Sequence, residues 1–279
     1  MRRVNPKVYT KKYYLSDCTG YEEFKKTHGE ELEPRFKEII KHFEIKPKSI
    51  VLDIGCGRGE MVLYAVKNGA TGYGVDYSIE AIKLANLLKS KQSANIKKRM
   101  SFKIMDVKNL SFPDSFFDTA IMTDVFEHLY PEELEVVFKE LKRVLKRNGV
   151  LVIHTAPNKL FNDIGYRYFS YPISVLMVVV WNFFAKKSYP NIGSPKDLRT
   201  DSHLVMHINE PTYFSLRNYL TKYKFVGRLF STNVTAKKEE VSIKDKIFNF
   251  FVFLHPVSRN FPLNIVLGSD FVAIVKNLK

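Results

Sequence analysis

Cysteine is scarce in this chain. There are two, Cys18 and Cys56, among 279 residues. No disulfide framework follows from them, and the chain reads as intracellular. The opening stretch MRRVNPKVYTKKYY lacks the apolar core of a signal peptide. Internal repeats and low-complexity tracts are missing as well. Acidic residues are short: 29 Asp and Glu stand against 44 Lys and Arg, a formal net charge of +15. That excess points to an anionic partner (nucleic acid, a phosphorylated substrate or an acidic membrane surface) or to a Lys-rich surface kept for solubility. Charge alone does not choose among them. One segment has no charge at all. It runs from Tyr168 to Ala185, with Arg167 before it and Lys186 and Lys187 after it.

What is present is ordinary for a globular chain, at 45% hydrophobic and 26% charged, with aromatics on the high side at 14%. The length suits one large α/β domain with insertions, or one domain plus a small cap. The first 48 residues are polar, with helical patterns near 21–28 and 31–44. From Ser49 short β-branched runs alternate with amphipathic helices, the pattern of a parallel sheet with crossover helices. Strands are expected at 49–54, 71–76, 101–105, 118–123 and 150–155. Helices are expected at about 58–68, stopped by Gly69, from Ser78 to about Lys91, and from Pro131 to Asn148-Gly149. After Pro157 the rhythm breaks. A helix near 211–223, a strand near 225–230 and a last strand at 270–275 follow, with a second apolar run at 247–254.

Ligands of open α/β sheets bind at the carboxyl ends of the strands. Here those ends carry small and acidic residues. The first strand ends in Asp53-Ile54-Gly55-Cys56-Gly57-Arg58-Gly59, whose alternating glycines permit a tight turn and close backbone approach. The helix after it offers free N–H groups to a carboxylate. Cys56 fills a place that wants a small side chain and reads as packing. Asp76 ends the second strand, placed to accept from a ribose diol. Asp106 follows the third, placed to accept from an adenine amino group. Thr123-Asp124 ends the fourth and faces the reacting region. A glycine loop alone also occurs in nicotinamide and flavin proteins. Here its spacing is G-x-G-x-G, and acids recur at three strand ends.

With these residues the sequence resembles the class I S-adenosylmethionine-dependent methyltransferases of the small-molecule, quinone and lipid type (methyltransferase domain 11-like), over roughly 45–156 and 203–277. DIGCGRG resembles the family's first cofactor loop and GVDYS (74–78) its ribose motif. MDV (105–107) resembles the adenine motif. FDTAIMTDVFEHL (117–129) and LKRVLKRNGVLVIHTAPN (141–158) are similar to the stretches at the fourth and fifth strands. GSDFVAIVKN (268–277) looks like the last strand of an antiparallel edge. The resemblance implies a Rossmann-like α/β fold: a seven-stranded, mostly parallel sheet with helices on both faces and a helical insertion or cap. It implies S-adenosyl-L-methionine as cofactor, held by Asp53, Gly55, Cys56, Gly57, Asp76, Tyr77, Asp106, Val107 and Thr123. It divides the chain into an N-terminal helical lid (1–48), the cofactor-binding core (49–156), a helical insertion (157–209) and the completion of the sheet (210–279), with a second apolar insertion near 241–263.

Methyl transfer from a sulfonium is an in-line displacement, so positioning dominates. A neutral hydroxyl acceptor also needs a base. Asp124, Glu127, His128 and His203 are the candidates. His128, in the turn after the fourth strand, either acts on the acceptor or fixes its loop by a hydrogen bond. His203 and His207 are four apart, a spacing that binds metal on a helix. No Cys or acid at ligand spacing completes the set, and no metal is expected. The resemblance instead places His203 at the acceptor pocket. Tyr9, Tyr13 and Tyr14 either close over the cofactor or pack on the sheet.

The acceptor is expected to be a small molecule, a lipid or a lipid-linked glycan, methylated on oxygen. A true span at 168–185 would divide one hydrogen-bonded sheet between two sides of a bilayer, which hydrogen bonding forbids. That stretch and 247–254 are therefore either cap helices or membrane-surface elements of a cytoplasmic protein, peripheral at the inner membrane face. An RNA acceptor is the rival reading, supported by charge and by Lys97-Lys98-Arg99. The motif TDVF lacks the N-P-P-Y form used on base amines. A non-catalytic cofactor-binding role is a third reading.

Overall fold

The computed structural model describes residues 4–5, 8–18, 20–185, 192–199, 205–234, 236, 240 and 242–279. Two short helices, α1 (Tyr21–Thr27) and α2 (Pro34–Ile40), precede the sheet. Then strands and helices alternate: β1 (Ile50–Ile54), α3 (Glu60–Lys67), β2 (Thr71–Asp76), α4 (Ile79–Ser90), α5 (Ala94–Lys98), β3 (Met100–Ile104), β4 (Phe117–Thr123), α6 (Pro131–Val144) and β5 (Leu145–Thr155). A π-helical stretch, Phe161–Ser170, leads into α7 (Tyr171–Ala185). The chain ends with α8 (Tyr213–Lys222), β6 (Phe225–Phe230), α9 (Ile243–Phe253), α10 (Asn264–Leu267) and β7 (Phe271–Asn277).

The seven strands form one sheet in the order β3-β2-β1-β4-β5-β7-β6. Strands β1 to β5 are parallel; β7 runs antiparallel to both β5 and β6. This is the Rossmann-like sheet the sequence implied, with the strand order reversing at β1 and β4. Its central strands are apolar because helices cover both faces. Leu52 and Ile54 of β1, Met122 of β4 and Leu151 and Ile153 of β5 are fully buried in one cluster with Phe138 and Leu141 of α6. Each such side chain contributes about 1.5–3 kcal/mol of burial. That cluster holds the carboxyl ends of β1 and β4 side by side.

Local signals account for most boundaries. Ser78 Oγ caps α4 by accepting from Ala81 N at 3.3 Å. Glu133 Oε2 accepts from Tyr130 N at 3.0 Å at the start of α6, beside Pro131. One boundary differs from expectation. The helix expected to reach Asn148 ends at Val144, and the next strand begins at Leu145. Leu145 pairs with Phe117, and Asn148, at φ 60°, kinks β5 before its main pairing begins at Val150. Gly149 follows it and lies too close to Lys146 O to accept a side chain. The α2 pattern is shorter than its apolar spacing suggested, because Pro34 opens it.

Beyond β5 a buried polar knot ties the sheet's far edge. Asp270 Oδ1, at the foot of β7, accepts from Ser231 Oγ at 2.6 Å and from the backbone N–H groups of Thr232 and Asn233 at 2.8 Å each. Asn233 Nδ2 in turn donates to Ser258 Oγ at 2.8 Å. These bonds satisfy a carboxylate that is otherwise costly to bury.

Candidate functional site

The turn after β1 cannot be built without glycine. Gly55, Gly57 and Gly59 all have positive φ, at 67°, 48° and 88°. At Gly55 a Cβ would also strike Val125 at 2.4 Å. The loop is folded back on β2: Gly55 N and Cys56 N both donate to Val75 O, at 2.8 and 3.0 Å. Gly57 N donates to Asp76 Oδ2 at 3.1 Å, and Ser78 N to Asp76 Oδ1 at 2.8 Å. Burial pushes the Asp76 carboxyl up to about 6, against the pull of these N–H donors. Asp53 is also raised, by burial first and then by Glu60 and Asp76. Its Oδ1 is buried with no hydrogen-bond partner.

These groups face a single cavity of about 840 Å³. One half is lined by Asp53, Gly55, Gly57, Asp76, Asp106 and Val107. Tyr77, Cys56 and Thr123 also border it. Asp106 is engaged from below: Lys108 N donates to its Oδ1 at 3.0 Å, and Lys108 Nζ lies 3.2 Å from Oδ2. The Cys56 side chain is buried beneath the loop, as packing requires.

The other half is lined by Tyr9, Glu127, His128, His207, Phe161 and Tyr166. Tyr9 OH lies 3.1 Å from His128 Nδ1, which also lies 3.0 Å from Met206 O. The His207 ring stands edge-on to His128, with centroids 4.9 Å apart. Glu127 Oε2 accepts from Thr155 Oγ1 at 2.7 Å. Burial, reinforced by the charge of Asp124, pushes Glu127 up to about 8. Glu127, His128 and His207 bring one ligand-type atom each within 4.8 Å of one another. Of the two histidines weighed as a metal pair, only His207 belongs to this group, joined by Glu127 and His128 from the turn after β4. His203 lies outside the described residues.

The N-terminal segment lies over this cavity. Tyr9 O accepts from Ser78 Oγ at 3.2 Å, and Tyr14 O from Arg58 Nη1 at 2.9 Å. Tyr9 meets Tyr77 edge to face at 5.4 Å. Burial holds the phenols of Tyr9, Tyr13 and Tyr14 far above their ordinary value.

Asp124, at φ 55°, has both oxygens occupied. Oδ1 lies 2.7 Å from His154 Nδ1, and Oδ2 lies 2.7 Å from Arg35 Nη1. Burial alone would raise its carboxyl, but Arg35 and His154 outweigh that and hold it well below the usual range. Arg35 also grips Glu33, Nε to Oε1 at 2.9 Å. His154 Nε2 lies 3.5 Å from Asp270 Oδ2. The charges therefore alternate along Glu33, Arg35, Asp124, His154 and Asp270, from the start of α2 to the foot of β7. Sequence reasoning did not single out Arg35, His154 or Asp270. A signal existed for His154: an imidazole near the end of a strand buried on both faces needs polar partners.

Residues 52–153 match the family model of a methyltransferase domain. The chain carries a class I S-adenosylmethionine-dependent methyltransferase domain. The cofactor of this methyltransferase domain is S-adenosylmethionine, and the crevice suits it. The orphaned Asp53 Oδ1 matches a cationic amino group, the bare glycine backbone admits close approach, and the N–H groups at the start of α3 match a carboxylate. Phosphoethanolamine N-methyltransferase 1 of Zea mays is 31% identical over 118 residues, 42% of this chain and 22% of that protein. Cyclopropane-fatty-acyl-phospholipid synthase of Escherichia coli (strain K12) is 29% identical over 126 residues, 45% of this chain and 31% of that protein. The chain thus spans less than half the length of these curated relatives. A SAM-dependent methyltransferase from Methanosarcina mazei superposes with a TM-score of 0.52 at 22% identity, covering 89% of this chain and 99% of that one. The PH0226 protein from Pyrococcus horikoshii OT3 gives 0.51 at 18% identity, over 95% of each chain. At such identities the likeness concerns the fold of the methyltransferase domain.

Proposed function

We propose that this chain transfers a methyl group from S-adenosylmethionine to a small-molecule or lipid-type acceptor, on oxygen, in the half of the cavity bounded by Tyr9, Glu127, His128 and His207. The observation that supports this reading is one cavity lined both by the glycine loop with Asp53, Asp76 and Asp106 and by Glu127, His128 and His207. When bound, the cofactor supplies an electrophilic methyl carbon. Asp53, Gly55, Cys56 and Gly57 hold its amino-acid end. Asp76 and Tyr77 hold the ribose, Asp106 and Val107 the base, and Thr123 the sulfonium side.

His128 receives the acceptor proton, and Tyr9 orients the imidazole. Asp124 was a candidate for the same role. With both oxygens bound to cations it acts better as an anchor that fixes the turn after β4. His203 remains an acceptor contact in this reading. Residues 1–48 act as a lid, 49–156 as the cofactor core and 157–209 as a cap, while 210–279 complete the sheet. No helix among the described residues is long and apolar enough to cross a membrane. Peripheral contact with the cytoplasmic face of a membrane through 168–185 and 247–254 belongs to this reading.

An RNA acceptor is less well supported. Lys97, Lys98 and Arg99 lie just before β3, at the amino ends of the strands, and none of them lines the cavity. Incubation with S-adenosylmethionine labelled in its methyl group, followed by counting of lipid, sugar and RNA fractions, tests the function. Label in RNA alone, or in none of them, defeats it.

A further inference from the structure

Helix α7 carries no charged residue, and apart from Ser174 and Asn182 it is apolar on its inner and outer faces alike. Tyr171, Ile173 and Met177 turn inward and pack with Phe161, Tyr166 and Phe253. Val175, Leu176, Val179, Val180, Phe183 and Phe184 recur at helical spacing and stay exposed, Phe183 at 80% and Phe184 at 77%. A helix in water carries polar side chains on that face. α9 repeats the pattern, with Val252 and Phe253 buried and Ile243, Ile247, Phe250 and Phe251 exposed. The two helices touch, and Lys244 Nζ of α9 stands 4.5 Å from the centroid of the Trp181 ring of α7. Single exposed apolar residues are ordinary, but a contiguous field of them marks a contact surface.

The rim of this field is positive. Among the described residues, Asp163 pairs with Lys159 and Arg199, and Asp245 caps the start of α9 through Ser242. The rim cations Arg167, Lys244 and Lys246 are exposed. Aromatic rings with adjoining cations favour the interface between water and hydrocarbon.

We propose that the joined outer faces of α7 and α9 dock this chain on an anionic lipid bilayer, apolar side chains in the headgroup–acyl boundary and rim cations against lipid phosphates. The π-helical stretch that leads into α7 also lines the cavity through Phe161, Asn162 and Tyr166. Docking therefore brings the acceptor half of the cavity to the lipid surface. The use of that placement rests on the methyl-transfer reading; the docking rests on the two helix faces.

Co-sedimentation of the full chain with vesicles tests this. The chain should pellet with equimolar phosphatidylglycerol and phosphatidylcholine, and weakly with phosphatidylcholine alone. Val179→Asp with Phe183→Asp removes two exposed apolar anchors and should lower partitioning by about tenfold or more. Lys244→Glu with Lys246→Glu should lower it by roughly fivefold or more, and added salt should weaken wild-type binding. Calorimetric binding of S-adenosylmethionine should be unchanged in all variants, which shows that they are folded. Failure to pellet, equal binding to neutral vesicles, or a lipid-free dimer abolished by Val179→Asp with Phe183→Asp would each overturn docking. Cofactor binding without vesicle binding ends this proposal and the membrane contact, and leaves methyl transfer standing. Vesicle binding without cofactor binding ends only the methyl-transfer reading.

Discussion

His154 Nδ1 lies 2.7 Å from Asp124 Oδ1, which ties the end of β5 to the turn after β4 directly beneath the cavity. His154 is fully buried. Its other nitrogen faces Asp270, so the imidazole sits between two carboxylates. Removing a partner from a buried charge pair leaves the other uncompensated. His154→Ala should cost about 3–5 kcal/mol of stability in urea denaturation. A loss within the error of the measurement would mean that the chain of alternating charges carries no structural weight.

The same pair sets a pH dependence. Burial alone would lower His154, but Asp124 and Asp270 outweigh it and hold the imidazole up at about 9. Its contribution is fully present below the unfolded value of about 6.5 and is lost as pH rises through about 9. Asp270 is held low by His154, Ser231 and Thr232 against the effect of burial. Its contribution is present above about 3.9 and lost as pH falls through the folded value. Thermal unfolding from acid to alkaline pH should therefore show stability declining on both sides. A flat alkaline limb would contradict a charged His154.

Glu127 behaves in the opposite sense to an ordinary surface acid. Burial raises it to about 8, so it is mostly protonated at neutral pH in the folded chain and ionised in the unfolded one. That difference lowers stability as pH rises from about 4.3 through about 8. Glu127→Gln should remove this slope and cost little at neutral pH, because the amide still accepts from Thr155 Oγ1. An unchanged slope in stability curves would show that Glu127 is ionised.

Tyr9 and His128 offer a kinetic test. Tyr9→Phe deletes one hydroxyl and leaves the ring packed on Tyr77 and Tyr13. If His128 takes the acceptor proton, His128→Ala should lower kcat by roughly 10²–10⁴ and Tyr9→Phe by a smaller factor. Cofactor affinity should hold in both. Equal losses in kcat and in cofactor affinity would indicate that the pair merely closes the lid.

Asp76 offers a binding test. Its carboxylate accepts from Gly57 N and Ser78 N, so Asp76→Ala removes the proposed ribose contact and loosens the loop together. Charge-assisted bonds of this kind are worth about 1.5–3 kcal/mol each, so S-adenosylmethionine affinity should fall by at least about tenfold. Unchanged affinity by calorimetry would remove the crevice from consideration.

The glycine bend and the acids at the strand tips were legible in the sequence because their determinants are local. A bend needing positive φ at Gly55, Gly57 and Gly59, and acids at the tips of β1 and β2 and just past β3, are properties of short segments with a fixed period. The parallel sheet was legible for the same reason, since buried parallel strands read as apolar runs between amphipathic helices. The end of α6 was not, because strand pairing at Leu145 overrode a continuing helical pattern. Nor was the charge chain. Arg35, Asp124, His154 and Asp270 are scattered along the sequence, and only the packing of α2 against the sheet's carboxyl edge, with β7 inserted beside β5, brings them into contact. Periodicity reports which face of a segment is buried. It carries no information on which distant segment supplies the neutralising charge, and that was decided by tertiary structure alone.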